Sequence, residues 1–309
     1  MVSVVIPTRD GGPLFAQVIE GLRRQVVDGK VEIVVVDSGS RDQTLEVARR
    51  NGARLFEIAP RDFNHGLTRN LGIELAWGEI VVLMTQDALP VDPHLLGNLI
   101  EPFDDPQVAG VFARQLPRPD ADPVTRRNLE NWITGAATRQ VRHIEDPRAF
   151  ERLSPMERYA FCVFDNVCSA VRKSVWREIP FPPAVFGEDI EWGKRVLLAG
   201  WKIVFQPEAV VEHSHQRSLV YEYRRTYICH RRLFELFGLQ TVPSLKSVLR
   251  SIPYGVLASS WLVLRSGERP WNKLADLVRI PFLTASTVWA QYAGARDEKR
   301  RKPQPARGG

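Results

Sequence analysis

Short apolar segments in the N-terminal half of the chain alternate with segments whose apolar residues recur at a helical period. The pattern predicts strands at residues 2–6, 32–37, 54–58, 79–84 and 108–113, with helices between them at 13–25, 42–51, 64–77 and 93–103. This alternation is typical of a parallel sheet covered by crossover helices. The Ile-Val-Val-Val run at 33–36 is apolar on both faces, which favours the middle of the sheet. We therefore expect an α/β fold with a mostly parallel central sheet flanked by helices.

The second half of the chain is less regular. Residues 117–155 are polar and rich in Arg, Asp and Pro, with a helical patch at 129–138, and are interpreted as a surface excursion. Further strands are predicted at 161–171 and 202–205, with a helix at 188–199. Beyond residue 218 the pattern is helical, with a disordered basic tail expected from 297. We predict a core domain of residues 1–220, divided at 115/116, a helical extension at 221–296 and a tail at 297–309.

Composition and charge restrict the class of protein and its partners. With 309 residues and 44% hydrophobic content, the chain can bury a large core and is globular. The net charge of +6 suggests an anionic partner such as a nucleotide, a phospholipid surface, a lipid-linked phosphate or nucleic acid. Much of the positive excess lies near the C-terminus, so the basic character is local.

Cysteine usage and apolar run lengths indicate the compartment. Cys162, Cys168 and Cys229 are odd in number and lack Cys-x-x-Cys spacing, which argues against a disulfide framework and a zinc knuckle. The first residues lack the features of a signal peptide. No run approaches 18 consecutive apolar residues, and the longest candidate, 256–264, predicts at most a position at a bilayer surface. We expect a cytoplasmic protein.

Acidic residues follow two of the predicted strands. In open α/β sheets, ligands bind at the carboxyl ends of the strands. Asp37 is placed there to accept from a base N–H or a ribose hydroxyl, although capping of the Ser38-Gly39-Ser40 turn is equally compatible. Asp87 is placed to bind a divalent cation that bridges two phosphates, and a plain turn is again an equal alternative.

Other candidate residues come from helix starts and from a strand end further along the chain. Glu188 and Asp189 open a helix after Gly187, which suits either a general base facing an acceptor hydroxyl or simple complementation of the helix dipole. An imidazole of His213 or His215 could complete a metal site, although isolated histidine pairs are more often surface or structural residues. Arg69 could contact a base or phosphate, although a solvated helical arginine is the commoner case.

Taken together and in order, these residues resemble glycosyltransferase family 2, a group of inverting enzymes. The resemblance covers about residues 1–220 and rests on an ordered set of short motifs: Pro7-Thr8-Arg9, Asp37-Ser38-Gly39-Ser40, Arg69-Asn70-Leu71-Gly72, Asp87, Gly187-Glu188-Asp189 and His213. Each motif is weak alone, whereas the ordered set is specific.

The resemblance implies a GT-A (Rossmann-like) fold and a role for each matched residue. Residues 1–115 would bind the nucleotide sugar, and residues 116–220 would bind the acceptor. Asp189 would deprotonate the acceptor hydroxyl, and Mg²⁺ or Mn²⁺ would be held by Asp87 and His213, with His215 as the weaker candidate. The remaining implied contacts are to the nucleotide sugar, from Thr8, Arg9, Asp37, Arg69, Gln86 and Asp87, and to the acceptor, from Glu188, Glu191 and Trp192.

One departure from the family pattern points to a branch of the family. Many relatives carry Asp-x-Asp where this chain has Thr85-Gln86-Asp87, so the carboxylate that would contact the ribose is missing. The Thr-Gln-Asp-Ala sequence at 85–88, Phe63-Asn64-His65-Gly66 and His213-Ser214-His215 resemble the rhamnosyltransferase branch. That resemblance implies dTDP-L-rhamnose as donor and a glycan or lipid-linked saccharide as acceptor, in cell-surface polysaccharide synthesis. Use of a UDP-hexose is the alternative.

The C-terminal helices mix aromatic and basic residues. Predicted helices at 245–264 and 274–292 carry this mixture, which suits the headgroup region of a membrane, and we expect peripheral association with the cytoplasmic face of the inner membrane. Packing on the catalytic domain or a homodimer is equally compatible.

Three other classes of protein compete with a glycosyltransferase. A nucleotidyltransferase would need a glycine-rich phosphate loop after the first strand, where residues 8–13 offer only Arg9 and Gly11-Gly12. A nucleic-acid-binding module would leave the acidic crevice without a purpose, so no nucleic-acid partner is expected. A scaffold without catalysis is the third alternative. An enzyme requires Asp87, Asp189 and His213 to lie in one cavity, and their placement on different surfaces would favour the scaffold.

Overall fold

The computed structural model describes residues 1–215 and 218–301. Within these residues nine strands form one sheet, and twelve α-helices accompany it. The strands are β1 (Val2–Thr8), β2 (Val31–Asp37), β3 (Arg54–Glu57), β4 (Ile80–Met84), β5 (Leu89–Pro90), β6 (Val108–Leu116), β7 (Gln140–Arg142), β8 (Cys168–Arg172) and β9 (Lys202–Glu212). The helices are α1 (Gly12–Arg23), α2 (Thr44–Arg50), α3 (His65–Leu75), α4 (Leu95–Ile100), α5 (Pro123–Glu130), α6 (Pro147–Arg152), α7 (Pro155–Cys162), α8 (Lys173–Glu178), α9 (Glu188–Leu198), α10 (Leu219–Phe237), α11 (Leu245–Arg265) and α12 (Pro270–Arg301).

The sheet is mixed, with the order β3-β2-β1-β4-β8-β6-β9-β5 and with β7 paired to β9. The pairs β1–β2, β1–β4, β2–β3 and β6–β9 are parallel, whereas β8 runs antiparallel to both of its neighbours, β4 and β6. Because β8 reverses direction between them, β4 and β6 point the same way. The carboxyl ends of β1, β2, β4, β6 and β9 and the amino end of β8 therefore lie along one edge of the sheet, which we call the site edge.

The core confirms the interior position predicted for β2, which lies between β1 and β3. Residues 34–37 of β2 and nearly all of β1 are buried. The amphipathic helix α1 packs Phe15, Ile19 and Leu22 into the same core. A Cβ at Gly72 of α3 would lie 2.2 Å from Val5 Cγ1, so only glycine allows α3 to approach the sheet this closely.

Two predicted elements differ from the structure. The strand expected at 161–171 is instead the end of α7 followed by β8, because Pro155 begins a helix that continues through Cys162. The helical patch expected at 129–138 is replaced by α5, which starts earlier at Pro123. The Asp122 carboxylate accepts from the backbone N–H groups of Val124 and Thr125, which is a helix start signal that the sequence offered.

The chain divides into two compact units. The first contains residues 1–118, 129–152 and 160–214, and it holds the sheet. The second contains residues 119–128, 153–159 and the chain from His215 onward, so parts of the polar excursion belong with the helical extension. In the second unit α12 continues to Arg301, and Asp297 accepts from Tyr227 Oη at 3.0 Å. The disordered tail expected from 297 is thus helical through 301, and residues 302–309 lie outside the described part of the chain.

Helix α11 coincides with the helix predicted at 245–264, and its apolar character extends beyond the run at 256–264. Among the helices of the described residues it alone has the length and composition to cross a membrane, with 21 residues and a mean hydropathy of 1.2 over its best window. Arg250 and several serines interrupt its apolar residues, so the sequence contains no run of 18 consecutive apolar residues there.

Candidate active site

The polar residues singled out at strand ends meet at the site edge, within the first unit. Thr8 and Asp37 are register partners at the ends of β1 and β2. Asp87 follows β4, and His213 follows β9. Asp165 and Asn166, which precede β8, reach the same edge from the opposite chain direction. The topology therefore brings together segments that are up to two hundred residues apart.

Asp37 is buried and fully engaged with its own turn. Its carboxylate accepts from the N–H groups of Gly39 and Ser40, both at 2.8 Å, from Thr8 Oγ1 at 3.0 Å and from the Ser40 hydroxyl. Gly39 has φ of +92°, a conformation that favours glycine. Asp37 therefore caps the Ser38-Gly39-Ser40 turn, as the alternative interpretation predicted, and fixes the loop at the ends of β1 and β2.

Arg9 and Gln86 link the ends of β1 and β4. The Arg9 N–H donates to Gln86 Oε1 at 2.8 Å, and Gln86 Nε2 donates to the Arg9 carbonyl at 3.0 Å. Since this pair uses the backbone of Arg9, the guanidinium extends from the edge and is mostly exposed. The arrangement leaves Arg9 able to reach an anion bound beside the sheet.

Asp87 and His213 form the candidate metal site. His213 Nε2 lies 3.7 Å from Asp87 Oδ1, and both side chains are largely buried. Two atoms bound to one ion at about 2.1 Å each lie at most about 4.2 Å apart, so this separation fits shared ligation. His215, two residues further along the chain, completes a group whose ligand atoms lie within 4.8 Å of one another. Carboxylate and imidazole donors suit Mn²⁺ and are compatible with Mg²⁺.

Gln115, which the sequence analysis did not identify, orients His213. Its Nε2 donates to Asp165 Oδ2 at 2.8 Å, so its Oε1 is the atom that lies 3.1 Å from His213 Nδ1. An amide oxygen at that position places the imidazole proton on Nδ1 and leaves the Nε2 lone pair directed toward Asp87. Gln115 stands two residues beyond the predicted end of its strand, and a buried polar residue at a strand end was the available signal.

Asp189 occupies the start of α9, where Gly187 takes φ of +73°. Its Oδ2 accepts from the Asn166 N–H at 3.3 Å, and its Oδ1 accepts from the Ile190 N–H at 2.8 Å. Burial raises the pKa of Asp189 well above its ordinary value, the negative charges of Glu188 and Asp165 raise it further, and Arg69 offsets part of the effect. A carboxylate with a raised pKa is a stronger proton acceptor than an ordinary aspartate.

Arg69 and Glu188 form a buried ion pair behind Asp189. Arg69 Nη1 lies 2.9 Å from Glu188 Oε1, and the two side chains are 6% and 5% exposed. Arg69 Nη1 also donates to the His65 carbonyl at 3.1 Å. Direct contact of Arg69 with the nucleotide and of Glu188 with the acceptor were expected, whereas the structure uses both charges to hold the start of α9. The two charges are buried and paired with each other, and direct contacts of Arg69 with the nucleotide and of Glu188 with the acceptor stay predictions.

Helix α3 also clamps the loop that leads to α9. Asn70 Oδ1 accepts from Trp176 Nε1 at 2.7 Å and from the Phe181 N–H at 3.1 Å, while Asn70 Nδ2 donates to the Phe181 carbonyl at 2.8 Å. A Cβ at Gly66 would lie 2.0 Å from the Pro182 carbonyl oxygen. These contacts show that the Arg69-Asn70 element positions the loop of Asp189.

Trp192, which was expected to shape the acceptor site, belongs to the core. Its side chain has no exposed surface, its Nε1 donates to the Ile179 carbonyl at 2.7 Å, and its ring packs between Phe164 and Phe181. The apolar face of α9 buries this residue, so the expected acceptor contact is wrong for Trp192. Glu191 lies half-buried in the first turn of α9, and its contact with the acceptor stays a prediction.

The profile of the family described as Glycosyl transferase family 2 matches residues 3–179. The chain belongs to this family, as its motifs indicated. It is therefore a glycosyltransferase.

Two relatives act in O-antigen synthesis, according to their names. The O-antigen chain rhamnosyltransferase RfbN of Salmonella typhimurium is 32% identical over 232 residues, covering 73% of this chain and 70% of RfbN. The O-antigen chain rhamnosyltransferase WbaN of Salmonella anatum is 29% identical over 229 residues, covering 73% of this chain and 70% of WbaN.

Solved structures share the fold. The mannosyltransferase PcManGT from Pyrobaculum calidifontis, in complex with GDP-Man and Mn²⁺, matches with a TM-score of 0.59 and 20% identity over 98% of this chain and 88% of its own. Glucosyl-3-phosphoglycerate synthase from Mycobacterium tuberculosis, in complex with Mn²⁺, UDP and glucosyl-3-phosphoglycerate, matches with a TM-score of 0.54 and 22% identity over 79% and 83%. The predicted GT-A fold is confirmed, with the mixed sheet described above.

Proposed function

We propose that the chain is an inverting, metal-dependent rhamnosyltransferase that moves L-rhamnose from dTDP-L-rhamnose to a hydroxyl of a glycan or lipid-linked saccharide. The observation that carries the proposal is the connected set of side chains at the site edge. His213 contacts Gln115, Gln115 contacts Asp165, and the charge of Asp165 acts on Asp189. Similarity to RfbN and WbaN over 73% of the chain favours rhamnose over other sugars.

Asp87 and His213 would hold Mg²⁺ or Mn²⁺, with His215 as the weaker candidate. A divalent ion held there supplies positive charge against the diphosphate of the donor as that group departs. Solved structures of the same fold contain Mn²⁺ with GDP-Man or with UDP, which favours this class of cofactor. Arg9, mostly exposed at the same edge, is placed to contact the nucleotide. Thr8, Asp37 and Gln86 would shape the loops on which the nucleoside rests.

Asp189 would act on the acceptor. Its carboxylate takes the proton from the attacking hydroxyl, the hydroxyl oxygen bonds to the anomeric carbon, and the bond from that carbon to the diphosphate oxygen breaks. Attack from the face opposite the diphosphate inverts the configuration. The buried Arg69–Glu188 pair keeps Asp189 in position, and the raised pKa of Asp189 provides basicity. Glu191, in the same first turn, would contact the acceptor.

We further infer that the enzyme works in cell-surface polysaccharide synthesis at the cytoplasmic face of the inner membrane. The names of RfbN and WbaN place them in O-antigen chain synthesis. An acceptor carried on a lipid would bring the enzyme to that surface, and a homodimer is compatible with the same function.

A panel of nucleotide sugars tests the proposed donor. Purified protein should be mixed with dTDP-L-rhamnose, UDP-glucose, UDP-galactose or GDP-mannose, each with Mn²⁺ or Mg²⁺, while thermal stability and donor hydrolysis are measured. We expect dTDP-L-rhamnose with metal to raise Tm by a few degrees near saturation, because binding energy adds to folding stability. An equal or larger response to a UDP-hexose would replace rhamnose with the alternative donor.

Substitution of Gln115 tests the orientation of His213. Gln115→Ala removes the acceptor for His213 Nδ1 and should weaken Mn²⁺ binding by about 10- to 100-fold, the usual effect of losing a hydrogen-bond partner of a metal ligand. Calorimetric titration of Mn²⁺ in the presence of dTDP measures the change. Gln107→Ala, at an exposed position near the start of β6, serves as control. Unchanged Mn²⁺ affinity in folded Gln115→Ala would show that His213 does not depend on this contact.

A further inference from the structure

Helix α12 leaves an apolar stripe in solvent. Trp271, Leu274, Val278 and Phe282 are 81%, 54%, 61% and 62% exposed. Their spacing of three and four residues places them on one face of the helix. Large apolar side chains are common singly on protein surfaces, but four successive turns of them on one face are not. The stripe is therefore a surface suited to a partner.

Helix α11 has a second exposed apolar face. Val248 and Ile252 pack with Val288 and Tyr292 of α12. Leu257, Trp261 and Leu264, on roughly the opposite side of α11, are exposed. The helix thus packs on α12 through one face and offers the other to solvent.

Basic residues accompany both apolar faces. Between residues 245 and 279 the chain has six basic residues, Lys246, Arg250, Arg265, Arg269, Lys273 and Arg279, against two acidic residues, Glu268 and Asp276. Four of them, Arg265, Arg269, Lys273 and Arg279, lie in or near the turn that joins α11 to α12. There, Arg265 lies over the Trp261 ring at 4.2 Å and Lys273 Nζ donates to the Leu264 carbonyl at 3.0 Å. Two exposed tryptophans, Trp261 and Trp271, flank the same turn. We call this region, residues 261–282, the hairpin surface.

We propose that the hairpin surface docks on an anionic lipid bilayer. Tryptophans with apolar neighbours partition into the headgroup boundary, and each lysine or arginine near an anionic surface adds electrostatic attraction. The positive excess matches the negative charge of such a bilayer. The proposal rests on the proposed position at the membrane and deepens it by naming the surface that binds the lipid. It does not depend on the identity of the donor.

Two other occupants fit the surface less well. A symmetric dimer would place the same patch against itself, and therefore bring arginines and lysines near their own copies. A membrane-spanning α11 would carry Arg250 and four serines through the hydrocarbon layer and would detach its packed face from α12. Docking parallel to the bilayer surface keeps both the packing and the charges in place.

Vesicle binding by the full chain tests the docking. Vesicles of phosphatidylcholine alone and vesicles containing about one third phosphatidylglycerol should be compared by flotation and by tryptophan emission. We expect binding to the anionic vesicles with a blue shift, and at least about tenfold weaker binding to the neutral vesicles or in high salt. Val278→Glu should weaken anionic-vesicle binding by about tenfold or more. Val26→Glu makes the same change at a matched position, 64% exposed in the first unit, and should bind as the unmodified chain does.

Three outcomes would overturn the proposal. One is no difference between Val278→Glu and Val26→Glu in vesicle binding. The second is a concentration-dependent dimer that Val278→Glu dissociates without any vesicle binding by the unmodified chain, since a second copy would then cover the surface. The third is binding that resists both high salt and alkaline carbonate, as a spanning helix would. The thermal response to donor should be the same in Val278→Glu and the unmodified chain, so failure here is separable from failure of the donor assignment.

Discussion

Asp189→Asn is expected to lower kcat by about a thousandfold while donor affinity changes by less than about threefold. General base catalysis typically contributes two to four orders of magnitude, and asparagine cannot accept the acceptor proton at neutral pH. The amide keeps the shape of the carboxylate, so the Arg69–Glu188 pair behind it should stay in place. Single-turnover transfer and calorimetric titration of dTDP with Mn²⁺ measure the two quantities separately.

Glu46→Gln is a suitable control for the helix-dipole alternative, since Glu46 is an acidic residue in the first turn of α2. Glu46→Gln removes one negative charge from the start of a helix that does not carry the proposed base. It should therefore leave kcat unchanged. If Asp189→Asn retained most of its kcat, Asp189 would be only a helix-terminus charge. A large loss of donor affinity with intact kcat would place Asp189 in the donor site instead.

The raised pKa of Asp189 adds a pH dependence with a defined sign. Since the base must be ionised, kcat/KM should increase with pH through an inflection above the range of an ordinary aspartate. A carboxyl whose pKa is raised on folding stabilises the protein when protonated, so its contribution is full at low pH and is lost as pH rises through the folded-state pKa. Asp189→Asn should therefore increase Tm more at pH 8 than at pH 5, and scanning fluorimetry at both values checks this. A larger gain at pH 5 would contradict the direction of the shift.

Asp87→Ala is expected to reduce metal-dependent donor affinity by about 100-fold or more. The substitution removes one of two ligands at the centre of the proposed site, while the Asp87 carbonyl can still accept from Arg118 Nη2, as it does at 2.6 Å. Loss of the carboxylate should abolish the difference in donor affinity between samples with Mn²⁺ and with chelator. Titration of dTDP in both conditions measures that difference.

Asp62→Ala, at an exposed carboxylate on the protein surface, is the matched control and should retain full metal dependence. If Asp87→Ala also retained it, the ion would bind elsewhere and the assignment of Asp87 and His213 would be wrong.

The sequence predicted the parallel strands β1, β2, β3, β4 and β6 and their common edge, because both follow from local patterns. It did not predict β5 and β7 or the antiparallel placement of β8. Runs of β-branched residues ending in Asp37 and Asp87 located two strand ends, and the rule for open α/β sheets placed them together. The pairing of Arg69 with Glu188 was not predictable in this way. The two residues lie 119 positions apart, and each alone reads as a ligand contact or a solvated charge. Their mutual neutralisation depends on how α3 packs against the loop before α9.

Trp192 and Gln115 also show what sequence patterns do not predict: Trp192 was expected in the site and lies in the core, whereas Gln115 was not expected and lies at the site edge. Trp192 follows Gly187-Glu188-Asp189 closely in sequence, yet its side chain is buried in the core between Phe164 and Phe181. Gln115 carries no family motif, yet the end of β6 places it between His213 and Asp165. The motifs therefore indicated which segments meet at the site edge, whereas the contacts of each side chain depended on the packing of the fold.

Anomalous diffraction at the manganese edge, from crystals grown with dTDP and Mn²⁺, would locate the metal relative to Asp87 and His213. We expect one strong peak within about 2.5 Å of an Asp87 carboxylate oxygen and of His213 Nε2, with the diphosphate on the same ion and Asp189 at the same edge of the sheet. A peak held by other residues, or a diphosphate bound away from the site edge, would show that Asp87 and His213 do not form the metal site of the enzyme.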